Sequence, residues 1–308
     1  MGTDQSFHRI KKLGEKIVER AKKITLPFFD GVPLYDVALF FWRSIVDGAI
    51  TTRASAIAFS FFVAFFPFVI FLFTLIPVIP IENFQDELFA LIKQVVPPTT
   101  FSTIETTVFD IVKNPHGGLL SLGFVMALIF STNGLASMMS AFDATIHSIH
   151  RRSWLSQRLA AVILLFILFI LLTVAIALLT GGQVFIHYLE EKEILRDSFL
   201  LGLLTIGKWI ITLALFFFAY SFLYYMAPAK KTKWRFISAG GTLATLLSIV
   251  TIAGFTYYIN NFSQYNKLYG SIGTLLIILF LMYIMSLILL VGFELNASIY
   301  QARSELEE

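Results

Sequence analysis

The sequence has no cysteine and few charged residues. The absence of cysteine among its 308 residues excludes disulfides, iron–sulfur clusters, thiolate metal sites and cysteine nucleophiles. Charged residues make up 14% of the chain, against about 25% in soluble domains. Hydrophobic residues make up 57%, and 33 residues are Phe, which is more apolar surface than one globular core of this length can bury. The composition therefore excludes a soluble protein and indicates that a bilayer surrounds the chain.

The main feature that the sequence does contain is a set of long apolar runs. A transmembrane helix needs about 20 apolar residues, and six stretches meet this length. They are Ala54–Ile79, Leu119–Ala141, Leu159–His187, Phe199–Ala227, Phe236–Phe262 and Ser271–Ile299. The runs are continuous, unlike the roughly ten-residue alternating segments of barrel strands. The sequence predicts an all-α polytopic membrane protein with six transmembrane helices.

The distribution of Lys and Arg predicts the orientation. Seventeen of the 23 basic residues fall on the side that carries both termini, and five fall on the opposite side. Short loops rich in Lys and Arg stay in the cytoplasm. Two loops carry seven of these residues: Arg151, Arg152, Arg158, Lys230, Lys231, Lys233 and Arg235. We expect a bacterial inner-membrane protein with both termini in the cytoplasm.

The segment before the first span predicts two further helices. Ile10, Leu13 and Ile17 recur at helical spacing among lysines, which is typical of a basic amphipathic helix on the inner leaflet. A disordered basic tail is the alternative for residues 1–25. Residues 34–50 predict an interfacial elbow. The predicted organisation is a region of basic and elbow helices (1–53), a transmembrane domain (54–299) and a cytoplasmic tail (300–308). We expect no cleavable signal peptide, because the first apolar run begins after about 50 residues.

Two ionisable residues interrupt the apolar runs. Lys208 and Glu294 are the only Lys, Arg, Asp or Glu residues within the six spans. Charges at such positions face a cavity or a partner, or else their side chains reach the interface. Both readings stay open for Lys208 and for Glu294. Pro67 predicts a kink in the first span, with a packing or a gating role, and Gly240-Gly241 would allow close helix approach.

The connection between the last two spans is unusually polar. It runs from Tyr257 to Gly273 and is rich in Tyr and Asn. Its aromatic residues would form an interfacial belt, or its amides and hydroxyls would bind polar headgroups or sugars.

Motifs for enzymatic chemistry are missing. The sequence has no G-x-S-x-G, no H-E-x-x-H and no cluster of carboxylates and His suited to a nuclease. His147 and His150 have no third ligand near them, and Arg151 and Arg152 would oppose a cation. We expect no enzymatic activity, no metal, no cofactor and no nucleic-acid partner.

Several motifs together resemble a known family. They are Arg53–Ser60 followed by Phe66-Pro67, Arg152–Trp154 with Arg158, Trp234-Arg235, Asn261–Gly273 and Gly292–Ala297. This pattern, from about residue 40 to 300, is similar to that of the YihY/BrkB family of bacterial inner-membrane proteins. The resemblance implies a six-helix protein, often named a virulence or serum-resistance factor and suspected of transporting lipid-linked material. The family has also carried a ribonuclease BN label, which we treat as a naming error, because the chain offers no cluster of metal ligands.

Two functions from different classes fit these observations. The first is a transporter or flippase of an amphipathic, anionic substrate. Its candidate contacts are Arg53, Lys208, Glu294, Asn261, Tyr265, Asn266, Tyr269, Gly270 and Ser271. The second is a non-transporting scaffold or envelope-integrity factor that binds anionic lipids of the inner leaflet or a protein partner.

Overall fold

The computed structural model describes residues 19, 22–26, 28–75, 117–145, 153–191, 198–229, 236–261 and 265–307. Within these ranges the chain forms seven α-helices and no strand, which confirms the predicted fold class. The helices are α1 (Leu34–Asp47), α2 (Ile50–Leu75), α3 (Gly117–Asp143), α4 (Trp154–Glu191), α5 (Ser198–Met226), α6 (Ala239–Asn261) and α7 (Tyr265–Glu307).

Six of the helices, α2 to α7, are long and apolar enough to cross a membrane. They coincide with the six predicted spans. Several extend beyond the predicted limits, most clearly α7, which begins at Tyr265 rather than at Ser271. Hydropathy marks the part of a helix that lies in hydrocarbon, whereas the backbone hydrogen bonds continue into the polar region. The residues Tyr265–Gly273, predicted as part of a connecting loop, are therefore helical.

The six long helices form a closed ring. Each packs on the next one in the chain, and α7 packs on α2 to complete the circle. Because consecutive helices run in opposite directions, α2, α4 and α6 begin at the same end of the ring. We call this the Arg53 end, after the residue near the start of α2.

The largest buried apolar cluster is concentrated toward the Arg53 end. Its fully buried members include Ile57, Met139, Phe142 and Leu290. They come from α2, α3 and α7, so these three helices form the tightly packed side of the ring. By contrast, α4 and α5 bury few of their residues, and their apolar outer faces suit contact with lipid.

Two helices approach closely through glycine. A Cβ on Gly240 of α6 would overlap the carbonyl oxygen of Gly292 on α7. Glycine allows this backbone contact because it has no side chain. Beside it, the amide oxygen of Asn296 accepts a hydrogen bond from the Gly240 backbone N–H at 2.8 Å. The predicted close approach of Gly240 is therefore made to α7.

Helix α2 continues through Pro67 without a break in its helical assignment. The predicted gating role of this proline stays a prediction.

The chain before α2 packs on the end of α7. Phe29, Val32 and Val37 are buried against Ile299 and Ala302. Gly31 has φ +85°, a backbone conformation that glycine adopts without strain. The turn ahead of α1 therefore holds this helix against α7. The predicted helix of residues 1–25 lies almost entirely outside the described residues, and 22–25 are not helical.

Candidate functional site

A buried ion pair lies at the Arg53 end of the ring. Nη1 of Arg53 donates to Oε1 of Glu294 at 2.6 Å. Glu294 is 0% exposed and Arg53 is 9% exposed. A carboxylate in such surroundings needs a partner, because charge is costly to bury. The two charges that the sequence suggested as separate candidate contacts thus neutralise each other.

The corner between α1 and α2 positions Arg53. Gly48 and Ala49 separate the two helices, and Ala49 has φ +46°. Nη1 of Arg53 also donates to the carbonyl oxygen of Gly48 at 3.2 Å. This bond fixes the guanidinium beneath the corner, so that it faces inward rather than reaching the surface.

The end of α3 completes the cluster. Nε of Arg53 donates to the carbonyl oxygen of Ala141 at 2.9 Å. The Thr145 hydroxyl donates to Oε2 of Glu294 at 2.7 Å. These contacts join α2, α3 and α7. Nη2 of Arg53 is buried and has no hydrogen-bond partner within the part of the chain that the structure describes.

A layer of aromatic residues lies next to the ion pair. The rings of Phe142 and Phe293 stack with centroids 4.0 Å apart. Tyr224 of α5 packs near both rings, and its hydroxyl donates to the carbonyl oxygen of Leu289 at 2.8 Å. Phe142 follows Ala141, whose carbonyl oxygen accepts from Arg53, and Phe293 precedes Glu294, so this aromatic layer lies directly beside the polar cluster. Together they close the ring at the Arg53 end.

A cavity of about 530 Å³ lies inside the ring. Its walls come from α2, α3, α4, α5 and α7. On α2 the lining extends from Phe61 to Phe68, a layer about 10 Å deep at 1.5 Å per residue. This layer lies in the central part of α2, whereas the lining of α5, from Phe216 to Leu223, lies in the last part of that helix. Its volume is within the range of about 300–1,000 Å³ found for ligand pockets.

The described lining is almost entirely apolar. It includes Leu135 and Met138 of α3, Leu165 of α4 and Leu223 of α5, and it contains no Lys, Arg, Asp or Glu. Such walls favour an apolar ligand or the apolar part of an amphipathic one. None of these lining residues was singled out from the sequence, because a span that is apolar on every side gives no sign of which face is inward.

Lys208 does not belong to the buried cluster. Its side chain is exposed on α5 and is not among the lining residues. It lies eight residues before the lining residue Phe216, which is about 12 Å along the helix and away from the Arg53 end. A side chain at this level can contact lipid headgroups more readily than the centre of the cavity.

The structure describes only some of the other predicted site residues. Arg158 lies within α4 rather than in a loop, and it donates to the Asn133 amide oxygen of α3. Asn261 is the last residue of α6, and the structure assigns the predicted contacts after it to the first turns of α7. These are Tyr265, Asn266, Tyr269, Gly270 and Ser271, whose side chains lie outside the described part of the structure. Six predicted basic residues also lie outside the described residues: Arg151, Arg152, Lys230, Lys231, Lys233 and Arg235.

Asp143 and Asn296 have structural roles that the sequence did not predict. The Asp143 carboxylate accepts a hydrogen bond from the Ala229 backbone N–H at 3.1 Å. Nδ2 of Asn296 donates to the Ser238 hydroxyl at 3.0 Å. These bonds attach Ala229, just after α5, to α3 and Ser238, just before α6, to α7. No group of three or more His, Asp or Glu residues in the described ranges could hold a metal ion.

Comparisons with known proteins agree with this architecture. The family described as virulence factor BrkB matches residues 41–308. The ribonuclease-like protein YfkH of Bacillus subtilis is 27% identical over 257 residues, covering 83% of this chain and 92% of YfkH. A UPF0761 membrane protein of Haemophilus influenzae is 25% identical over 283 residues, covering 90% of this chain and 100% of that protein.

A second UPF0761 membrane protein, from Idiomarina loihiensis, is 25% identical over 232 residues, which is 74% of this chain and 76% of the relative. No solved structure matches the chain. The family match covers most of the sequence, and the two UPF0761 relatives are named membrane proteins. The chain is therefore an integral membrane protein of the BrkB family, as the sequence motifs indicated.

Proposed function

We propose that this protein transports an amphipathic lipid across the bacterial cytoplasmic membrane, with both termini and the Arg53 end on the cytoplasmic side. The observation that carries the proposal is the apolar cavity inside the ring of membrane-spanning helices. A lipid that crosses the bilayer needs a path that separates its headgroup from its chains. A cavity with apolar walls accommodates a chain, whereas it offers no counter-charge to a small ion.

The tightly packed Arg53 end makes the two ends of this cavity different. The stacked pair Phe142 and Phe293 and the ion pair of Arg53 and Glu294 close one end. A transporter that exposes its site to one side at a time needs one closed end. We therefore assign the ion pair to closure of the cytoplasmic end rather than to direct substrate contact.

Lys208 is the proposed headgroup contact. Its exposed ammonium lies about 12 Å along α5 from the cavity. With a chain in the cavity, an anionic headgroup would lie at this level. We propose no enzymatic activity and no cofactor for this chain. The name of YfkH describes that relative, and a nuclease role would require metal-dependent RNA cleavage by the purified protein.

Lipid movement in proteoliposomes tests the proposed function. We expect vesicles that contain the full-length protein to exchange fluorescent phosphatidylglycerol between leaflets faster than protein-free vesicles. Reduction of the outer-leaflet fluorophore by dithionite measures the exchange. Folded protein that moves neither phosphatidylglycerol nor phosphatidylcholine would contradict transport of these lipids and favour the scaffold alternative.

The Lys208→Ala variant tests the headgroup contact in the same assay. We expect slower movement of anionic phosphatidylglycerol and little change for zwitterionic phosphatidylcholine, because only the anionic headgroup gains from the ammonium. Equal rates for wild type and variant with both lipids would show that Lys208 does not contact the headgroup.

A further inference from the structure

The cavity wall is incomplete at α4. The lining residues of this helix are Leu165, Leu168, Phe169 and Leu172, whose spacing puts them on one helix face. Phe169 is 52% exposed and Leu172 is 49% exposed. The lining residues of α2, α3, α5 and α7 are all buried or half-buried. An inward face that is also exposed indicates a gap between α4 and a neighbouring helix.

The gap joins the cavity to the lipid-facing surface. Ile163, Phe166, Ile170 and Val174 are exposed apolar residues at the same depth on α4. In a bilayer this surface is in contact with acyl chains. An apolar chain can therefore pass from the surrounding leaflet to the cavity without crossing a polar layer.

Of the three side-chain hydroxyls in the described lining, those of Ser286 and Tyr220 are already hydrogen-bonded, which leaves Ser131 as a partner for water. The Ser286 hydroxyl donates to the carbonyl oxygen of Met282 at 2.7 Å. The Tyr220 hydroxyl is paired with Ser248 at 2.6 Å. A cavity of this kind does not hold water well, since a buried water needs two to four polar partners, and it binds apolar molecules instead.

We propose that the acyl chain of a membrane phospholipid enters beside α4 and occupies the cavity. This inference rests on the proposed function and deepens it, because it identifies the substrate as a bilayer lipid that enters sideways rather than a solute from water. Phe169 and Leu172 form the entrance, and Met138 lies at the inner wall.

Two adjacent methionines provide a matched test in the unmodified protein. Met138 and Met139 are 1% and 0% exposed, but only Met138 lines the cavity. The full-length protein is reconstituted with phosphatidylglycerol that carries a diazirine near the end of one acyl chain. After irradiation, mass spectrometry locates the adducts. We expect adducts on Met138 and none above background on Met139. Labelling of Ile170 without labelling of Met138 would overturn the proposal.

The Ala219→Trp variant tests whether the cavity itself is occupied. Ala219 lines the cavity, so that an indole there takes up part of the space, and we expect the Met138 adduct to decrease. The matched control is Ala253→Trp, whose side chain lies on the exposed face of α6 and is expected to leave the adduct unchanged. A decrease of the adduct in both variants, or in neither, would contradict occupancy of this cavity.

The labelling and transport experiments test the acyl-chain site and the proposed function separately. Labelling of Met138 in a protein that moves no lipid would support the acyl-chain site in the cavity and contradict the proposed transport function. Lipid movement without labelling of Met138 would support the proposed transport function and contradict entry of the acyl chain beside α4.

Discussion

The Glu294→Ala variant is expected to lose about 3–5 kcal/mol of its free energy of unfolding, because the substitution leaves the Arg53 guanidinium buried without its carboxylate. The Thr145 hydroxyl loses its acceptor at the same time. Chemical unfolding in detergent micelles, followed by tryptophan fluorescence, measures the difference.

A second carboxylate on the same helix gives the control. Glu307 pairs with Arg303 at 2.8 Å, but both side chains are largely exposed. Exposed pairs at i,i+4 contribute little because water screens their charges, so Glu307→Ala should change the stability little. Equal effects of the two substitutions would show that the buried pair does not hold the Arg53 end together.

Removing both charges should recover part of the free energy of unfolding that Glu294→Ala loses. In Arg53→Met/Glu294→Leu no charge is left buried, and such replacements are often neutral or favourable. The carbonyl oxygens of Ala141 and Gly48 lose a donor, which limits the recovery. A double variant that is less stable than Glu294→Ala would contradict the assignment of the loss to an unpaired charge.

The Gly240→Ala variant is expected to destabilise the protein by about 3 kcal/mol, at the upper end of the cost of overpacking. Its Cβ would overlap the Gly292 carbonyl oxygen and the Asn296 side chain. Helices α6 and α7 would have to separate, and the hydrogen bond from the Gly240 N–H to Asn296 would weaken. The same unfolding assay measures this change.

Gly254→Ala is the matched control on α6. A Cβ at Gly254 meets nothing within 4 Å. The substitution should therefore stabilise the helix by about 0.5–1 kcal/mol, since glycine is costly inside a helix. A gain of stability in both variants would show that α6 and α7 do not pack through Gly240.

The six spans were predictable because hydropathy alone determines them. A stretch of about 20 apolar residues has few alternatives to a membrane helix. The exact ends were not predictable in this way, and Tyr265 shows why. Its polar neighbours in the sequence end the apolar run, but none of them is a proline, so α7 begins six residues before the predicted Ser271.

The contents of the site were predictable only in part. Arg53 and Glu294 were each predicted as candidate substrate contacts, but they are separated by 241 residues, and no local pattern pairs them. Thr145 carried no signal, since a hydroxyl after a helix is common. The cavity lining could not be predicted from the sequence, because residues such as Phe61 and Met138 occur in runs that are apolar on every face. Only the ring arrangement separates inward from outward faces.

Lipid movement by the Ala219→Trp variant is the most direct measurement of whether the cavity is the transport path. Wild type, Ala219→Trp and Ala253→Trp are reconstituted at equal amounts of folded protein, and leaflet exchange of fluorescent phosphatidylglycerol is followed by dithionite reduction. A transport path through the cavity predicts slower exchange for Ala219→Trp than for wild type, since the indole takes up part of the space between α2, α3, α4, α5 and α7. It predicts wild-type exchange for Ala253→Trp. Wild-type exchange in both variants would contradict a path through this cavity.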